Sequence, residues 1–252
     1  MKIKDIEFLI KKIIPEKYLL KKRIKRAIKK KYEKELELID KFADKTKDAL
    51  DVGVYRGVYS FKLSQHYNKV HAFEPNPLLF TYLNKYLSKI LKNLNLYNFA
   101  LSNLNGETKL KLPLRSKSIF QSNIEELYQL GASSIHPKNE LTNYKEVTVQ
   151  IKRLDDIKID NKIGFIKIDV EGHELEVIEG AFNTIMNNKP ILLVEIEKRH
   201  TQKPVLESIN SIKKMGYNCF FVRDKNLIPV EKLENTNTEN NYYFLPTNLN
   251  QL

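Results

Sequence analysis

The 252-residue sequence contains one cysteine, Cys219, and no tryptophan. A single cysteine excludes an intramolecular disulfide, so nothing favours an oxidising compartment and we expect a cytoplasmic protein. Long apolar runs are also missing. The N-terminal run IEFLI is too short, and too soon followed by lysines, to be the apolar region of a signal peptide, and no stretch has the length of a membrane span. The length suits one α/β domain with a short extension.

Arginine is scarce, with 7 arginines beside 36 lysines. Only arginine carries the planar fork that recognises phosphate or guanine through two hydrogen bonds, so sequence-specific nucleic-acid binding is disfavoured. The net charge of +12 is concentrated near the N-terminus, where residues 1–50 hold 17 basic and 9 acidic residues. We therefore separate a basic helical extension, residues 1–47, from a domain that spans residues 48–252.

The densest basic segment, residues 17–34, has apolar residues at helical spacing. These residues are Leu20, Ile24, Ala27 and Ile28. Two interpretations stay open. The helix contacts an anionic membrane from the cytoplasmic side, or it is a solvated helix that packs on the domain through one narrow apolar stripe.

From residue 49 onward, short apolar runs alternate with helical patterns. The runs that predict strands are 49–53, 70–74, 94–101, 163–170, 191–196, 217–222 and 242–246. The patterns that predict helices are 58–67, 77–91, 174–186 and 204–215. Such alternation predicts a doubly wound, mostly parallel sheet with helices on both faces. Residues 106–160 interrupt the rhythm, and we interpret them as an insertion on the substrate side.

Polar residues stand where the predicted strands end, the edge at which open α/β sheets bind ligands. They are Asp51, Glu74, Asn98, Asp169 and Glu195. A row of carboxylates does not suit a phosphate. It suits a cation, or a ribose whose hydroxyls need acceptors.

The stretch DVGVYRGVYS, residues 51–60, has only two of the three glycines of a dinucleotide fingerprint and begins with an acid. Gly53 permits a tight turn, and Gly57 opens a helix whose N-terminus can take a carboxylate. Glu74 follows Gly53 by the spacing expected of an acid that binds ribose hydroxyls. A ligand with a ribose, a carboxylate and a positive centre but no phosphate is S-adenosylmethionine.

The runs DVGVYRGVYS, VHAFEPNP, NFALSNLNG and FIKIDVEGHELEVIEG resemble the FkbM family of S-adenosylmethionine-dependent methyltransferases over residues 48–197. The resemblance implies a class I methyltransferase fold, with a seven-stranded sheet whose last strand is antiparallel. It also implies O-methylation of a hydroxyl, often on a sugar or polyketide. Family members often carry small residues where this chain has Val54, Tyr55 and Arg56.

The predicted site follows from these runs. The residues assigned to the cofactor are Asp51, Gly53, Gly57, Ser60, Glu74, Asn76, Asn98, Ala100 and Asp169. The residues assigned to catalysis are Asp169, Glu171 and His173, because a hydroxyl acceptor needs a base within hydrogen-bond reach. We expect the base to be Asp169 or His173.

Two further expectations concern charges near the base. Lys167 shares a strand face with Asp169, so we expect a structural ion pair with a neighbouring carboxylate. A divalent metal held by Asp169, Glu171, His173 and Glu195 is an alternative, although we predict a metal-free site.

The leading function is O-methylation of a glycan or related small acceptor. A protein that binds the cofactor without turnover, or acts as a scaffold, is the second reading. A nucleic-acid methyltransferase is the third, and it is weakened because KIDVEG stands where such enzymes carry an NPPY or DPPY element.

Overall fold

The computed structural model describes residues 14–30, 33–113, 133–135, 144–197, 204–230 and 239–249. The helices are α1 (Glu16–Lys29), α2 (Val58–His66), α3 (Pro77–Ile90), α4 (Glu174–Gly180), α5 (Phe182–Asn188) and α6 (Val205–Lys213), with 3-10 helices at Lys34–Phe42 and Leu154–Asp156. The strands are β1 (Asp48–Val52), β2 (Val70–Phe73), β3 (Leu94–Tyr97), β4 (Ala100–Leu101), β5 (Gly106–Pro113), β6 (Tyr144–Lys152), β7 (Ile163–Ile168), β8 (Ile191–Glu195), β9 (Tyr217–Arg223), β10 (Asn226–Pro229) and β11 (Asn241–Pro246).

The main sheet has the strand order β10-β9-β11-β8-β7-β1-β2-β3. Strands β3, β2, β1, β7 and β8 are parallel, and β11 is antiparallel to both of its neighbours. The doubly wound sheet with an antiparallel last strand is therefore confirmed. The short β10 makes eight strands where the family resemblance implied seven. The strand order reverses between β1 and β7, which is the position where sheets of this kind bind ligands.

Helices cover both faces of the sheet because the central strands are apolar on both sides. On one face, Leu50 and Ile166 pack against α4, α5 and α6. On the other face, Ala49 and Phe165 pack against α2 and the 3-10 helix Lys34–Phe42. Every residue of β1 and β2 is buried. The residues that follow these strands therefore start from fixed positions.

Two predicted elements are divided in the structure. The run 94–101, predicted as one strand, ends at Tyr97, and Ala100–Leu101 pairs with β6 in a separate sheet of order β4-β6-β5. The pattern 174–186, predicted as one helix, is broken at Ala181 into α4 and α5. At the end of α4, a Cβ atom on Gly180 would come within 1.9 Å of the Ser102 carbonyl oxygen, so only glycine allows this close packing.

The predicted insertion, residues 106–160, contributes the β5-β6 hairpin to the smaller sheet. Residues 133–135 are the part described between these strands, and Ser134 exchanges backbone hydrogen bonds with Lys111 of β5. Most of the polar segment 122–144 lies outside the described residues. The substrate-side role of this insertion stays a prediction.

The basic helix α1 packs on the domain through its apolar stripe. Leu20 and Ile24 are 1% exposed and lie in a cluster with Leu83 and Leu87 of α3. The remaining surface is cationic, because most of its lysines are exposed. None of the helices in the described ranges is both long and apolar enough to traverse a bilayer.

Candidate active site

A cavity of about 570 Å³ opens at the carboxyl ends of the parallel strands. Residues from widely separated parts of the sequence line it. They include Glu33, Gly53, Tyr55, Arg56, Tyr59, Glu74, Leu79, Ala100, Leu110, Ser133, Ile135, Asp169, Glu171, Glu195 and Asn241. Apolar side chains from α3, β4 and β5 share the lining with charged side chains from several loops. Such a cavity fits a ligand that carries both an apolar ring system and charged groups.

The loop after β1 approaches the opposite strand so closely that only glycine fits. Gly53 has φ +84°, and a Cβ atom there would lie 1.8 Å from the carbonyl oxygen of Asp169. The same loop turns into α2 through Gly57, at φ +73°, where a Cβ atom would collide with Leu87. Gly53 therefore lines the cavity, whereas Gly57 shapes the loop behind it.

Glu74, at the end of β2, is fixed by the two loops that flank the cavity. Its Oε2 atom accepts a hydrogen bond of 3.1 Å from the Tyr55 backbone N–H, and Oε1 accepts one of 3.0 Å from the Asn76 N–H. Burial raises the pKa of this carboxyl to about 7, although both backbone donors favour the charged form. Each oxygen retains a second lone pair, so the carboxylate can accept two neighbouring hydroxyls of a ribose.

Asn76 and Asn98 brace the walls of the cavity. The Asn76 side chain caps α3 by accepting from the Leu78 N–H at 3.0 Å, and its amide donates to Ser133. The Asn98 amide donates to the carbonyl of Glu74 at 2.9 Å and so holds the chain that follows β2. Ala100 lies on the wall itself.

Asp51 and Ser60 lie beneath the cavity and are fully buried. The Ser60 hydroxyl donates to Asp51 Oδ2 at 2.5 Å, and Lys167 Nζ stands 4.0 Å from Asp51 Oδ1. Burial raises the pKa of Asp51 to about 6, against the opposing charge of Lys167. This pair links the start of the cofactor loop to the strand that carries Asp169.

Asp169 is the carboxylate best placed in the cavity. Lys167 Nζ donates to Asp169 Oδ2 at 2.9 Å and to the Gly53 carbonyl at 3.0 Å, so the expected ion pair is present. The Lys167 side chain is 4% exposed, whereas that of Asp169 is 31% exposed. Burial lowers the pKa of Lys167, but Asp169 and Asp51 outweigh it and raise that pKa. Lys167 thus stays charged and orients Asp169.

Glu195 ends the neighbouring strand and forms a carboxyl pair with Asp169. Ile168 of β7 is in register with Val194 of β8, so the two acids follow side by side. Burial raises the pKa of Glu195 far above its usual range, and the charge and hydrogen bond of Asp169 raise it further. Glu195 therefore keeps its proton near neutral pH and is within hydrogen-bond reach of Asp169, with the Lys167 charge beside them.

The turn between β7 and α4 is held by Glu174. Its Oε1 atom accepts from the N–H groups of Val170, at 3.2 Å, and Gly172, at 3.0 Å. Glu171 has φ +56°, a conformation that non-glycine residues rarely adopt, and it lines the cavity. Its carbonyl accepts from Ser134, which connects this turn to the insertion.

His173 points away from the cavity. Its Nε2 atom lies 2.9 Å from the Ser102 hydroxyl, and the residue occupies the cap position of α4. Among the described residues, those that line the cavity include Asp169 and Glu171 but not His173. The geometry therefore places Asp169, and not His173, on the cavity wall.

The metal alternative requires several ligands that converge. Within the described part of the chain, His, Cys, Asp and Glu side chains form no group of three or more that could hold a metal ion. Of the four ligands in the metal alternative, Asp169 and Glu195 lie side by side, whereas His173 contacts the Ser102 hydroxyl instead.

These features define a class I methyltransferase with a site for S-adenosylmethionine. The fit is carried by the close glycine turn at Gly53, by the two available lone pairs of Glu74, and by a charged end without the glycine-rich cradle that a pyrophosphate needs. The chain belongs to the FkbM methyltransferase family, since the methyltransferase FkbM domain model matches residues 51–219. S-adenosylmethionine is the cofactor.

Several solved structures are similar to this chain at low sequence identity. A methyltransferase FkbM from Methylobacillus flagellatus is 17% identical, with a TM-score of 0.49, and the alignment covers 79% of this chain but only 44% of that one. A TehB-like SAM-dependent methyltransferase from Corynebacterium glutamicum is 11% identical, with a TM-score of 0.43 and coverage of 92% and 98%. A putative methyltransferase from Streptococcus mutans in complex with SAH is 13% identical, with a TM-score of 0.43 and coverage of 82% and 94%. No curated protein matches this chain.

The sequence did not indicate every residue at this site. Glu33 precedes the 3-10 helix Lys34–Phe42, and Tyr59 lies in the first turn of α2, yet both line the cavity. Glu195, which the metal alternative groups with Asp169, lies within hydrogen-bond reach of that residue, and only the structure displays this carboxyl pair. For Glu33 and Tyr59 no local pattern could have indicated the role.

Proposed function

We propose that the protein transfers a methyl group from S-adenosylmethionine to a hydroxyl oxygen of a glycan or related small acceptor. The observation that supports this is the placement of Asp169. Its carboxylate is open to the cavity, oriented by Lys167, and adjacent to the Gly53 turn that borders the cofactor. A hydroxyl must lose a proton when it is methylated, and a carboxylate in this position can take it.

The division of work among the residues follows from their positions. When bound, S-adenosylmethionine supplies an electrophilic methyl group on a sulfonium. Asp169 would accept the hydrogen bond of the acceptor hydroxyl, which aligns the oxygen, and would take its proton while the carbon–oxygen bond forms and the methyl–sulfur bond breaks, leaving a neutral thioether. Lys167 holds the Asp169 carboxylate in this orientation through a charged hydrogen bond.

Acidic side chains in the cavity support a neutral, hydroxyl-rich acceptor. Besides Asp169, the lining includes Glu171 from the turn that follows β7. Carboxylates are good acceptors for sugar hydroxyls and repel phosphate or carboxylate groups. This favours a glycan over a nucleic acid.

A separate proposal concerns α1 and an anionic membrane surface. The cationic face of α1 is exposed, while Leu20 and Ile24 are occupied by packing on α3. The proposed contact is therefore electrostatic and peripheral, with no apolar insertion by these two residues.

The test of the leading proposal uses cofactor carrying an isotopic label on the methyl group. The protein is incubated with a glycan-containing cell extract, and the labelled product is isolated and hydrolysed. A methyl ether on a sugar survives mild alkali, whereas a methyl ester does not, so the two are separated chemically. The Asp169→Asn variant is the control; it should bind S-adenosylhomocysteine but transfer label at least about a hundredfold more slowly.

Three outcomes are distinguishable. Label in a methylated sugar supports the proposal. Label in RNA, protein or an N-methyl group contradicts it. Absence of label, together with normal cofactor binding, contradicts it in favour of a binding protein without turnover.

A further inference from the structure

The N-terminal segment reaches the cofactor cavity at Glu33. This residue lies immediately before the 3-10 helix Lys34–Phe42 in an extended conformation, with φ −125° and ψ 100°. That helix is anchored to the sheet, because the Tyr243 hydroxyl donates to the Glu35 carbonyl at 2.7 Å and Leu36 lies in the core. The position of Glu33 is therefore set by the core of the domain.

Glu33 and Arg56 line the same space from two elements. A second cavity, of about 270 Å³, adjoins the main one and shares with it Glu33, Gly53, Tyr55, Arg56, Tyr59 and Asp169. The carboxylate comes from the N-terminal segment and the guanidinium from the loop after β1. The shared region is thus bordered by one anionic and one cationic side chain, next to the glycine turn.

The buried Tyr59 hydroxyl lies beside Glu33 in the same region. The Tyr59 side chain is 6% exposed, and Lys167 Nζ lies 5.0 Å from the centre of its ring. Burial raises the pKa of Tyr59, and the charge of Glu33 and a hydrogen bond to it raise this pKa further. The hydroxyl therefore stays protonated and faces the Glu33 carboxylate, which fixes where that carboxylate borders the shared region.

The cofactor carries a matching group at one end. Its methionine portion ends in an α-amino acid, which at neutral pH has one ammonium and one carboxylate on the same carbon. An ammonium needs acceptors with negative charge, and a carboxylate is matched by the planar fork of arginine. Lys167 donates to Asp169 and Gly53, and Arg56 is the arginine among the described residues that line this region.

We propose that Glu33 and Arg56 hold the amino-acid end of S-adenosylmethionine, with Glu33 on the ammonium and Arg56 on the carboxylate. The N-terminal segment is then a part of the cofactor site. This also gives a function to Arg56, at a position where family members often carry a small residue. The inference rests on the cofactor and not on the acceptor. It can therefore fail while the proposed function holds, and it can hold while the proposed acceptor is wrong.

The experiment compares two ligands that differ at this end, S-adenosylhomocysteine and 5′-methylthioadenosine, which lacks the amino-acid group. Calorimetry measures both affinities for the full chain and for Glu33→Gln, Arg56→Gln and the control Glu37→Gln. Glu37 lies on the same N-terminal segment but lines neither cavity. We expect Glu33→Gln and Arg56→Gln each to weaken S-adenosylhomocysteine about tenfold and to leave methylthioadenosine within about twofold.

A third ligand separates the two roles. For an S-adenosylhomocysteine analogue without the amino group, Arg56→Gln should still reduce affinity, whereas Glu33→Gln should have no effect. Equal losses for S-adenosylhomocysteine and methylthioadenosine would mean that the substitutions only disturb the loop, and this would overturn the proposal. Unchanged affinities would overturn it as well. Because Arg56 is exposed, its variant tests the proposal even if Glu33→Gln fails to fold.

Discussion

Replacing Glu74 by glutamine should weaken cofactor binding with little change in shape. Glutamine keeps one side-chain oxygen, but its NH₂ group must face either the Tyr55 or the Asn76 backbone N–H, which now donate at 3.1 and 3.0 Å. One of these buried donors then loses its acceptor, and one ribose hydroxyl loses a charged acceptor. A hydrogen bond to a charged group contributes about 1.5–3 kcal/mol, so we expect a loss of about 2 kcal/mol, or roughly thirtyfold in Kd.

The pH dependence of binding provides a second measure of the same carboxyl. Because burial raises the pKa of Glu74 to about 7, the group is partly protonated near neutral pH in the free protein. The ionised carboxylate is the stronger acceptor for ribose hydroxyls, so affinity is highest above this pKa and decreases as the pH falls through it. Below the pKa, Kd should rise by at most about tenfold per pH unit, the limit reached when binding requires release of the proton. In Glu74→Gln this contribution should be absent.

The assay is calorimetry with S-adenosylhomocysteine between about pH 6 and pH 8. Glu107→Gln is the matched control, because Glu107 is exposed on β5 and does not line the cavity. A variant Kd within about twofold of the wild-type value would refute the role of Glu74 in binding ribose. If the same pH slope persisted in Glu74→Gln, another group, such as Glu174 or Asp51, would be responsible.

Three further predictions follow. Asp169→Asn should lower turnover about a hundredfold or more, whereas His173→Ala should lower it less than about tenfold. If His173→Ala lost more of the single-turnover rate than Asp169→Asn, His173 would be the base. Glu195→Gln should remove a pH dependence of stability. Burial and Asp169 raise the pKa of Glu195, so the wild-type protein loses stability as the pH rises above the ordinary glutamate pKa, by at most about 1.4 kcal/mol per pH unit. If the free energy of unfolding measured in urea changed equally with pH in both proteins from acid to neutral pH, this would be contradicted. Replacing the exposed lysines of α1 by glutamine should abolish low-salt binding to anionic vesicles and preserve cofactor affinity; vesicle flotation that is equal for both proteins would end the membrane proposal.

The sequence by itself determined the class of fold and the cofactor loop. Strand and helix periodicities are local, so the alternation of elements and the apolar stripe of Leu20 and Ile24 could be predicted without any knowledge of tertiary contacts. Gly53 and the spacing to Glu74 are also local, because the loop and the strand that follows it are consecutive in the chain. Lys167 was predicted to form an ion pair since a charge inside a central strand must be neutralised.

Tertiary structure decided how the charged residues are combined. The register between β7 and β8 places Asp169 beside Glu195, and no local pattern encodes a strand register. His173 contacts Ser102, which follows β4, and β4 pairs with β6 outside the main sheet. The run 94–101 reads as one continuous strand, so the sequence does not predict this separation. Glu33 reaches the cavity only because the 3-10 helix after it packs on the sheet, a contact that joins residues more than two hundred positions apart. The fold follows from local periodicity, whereas the site depends on long-range packing that a single sequence does not display.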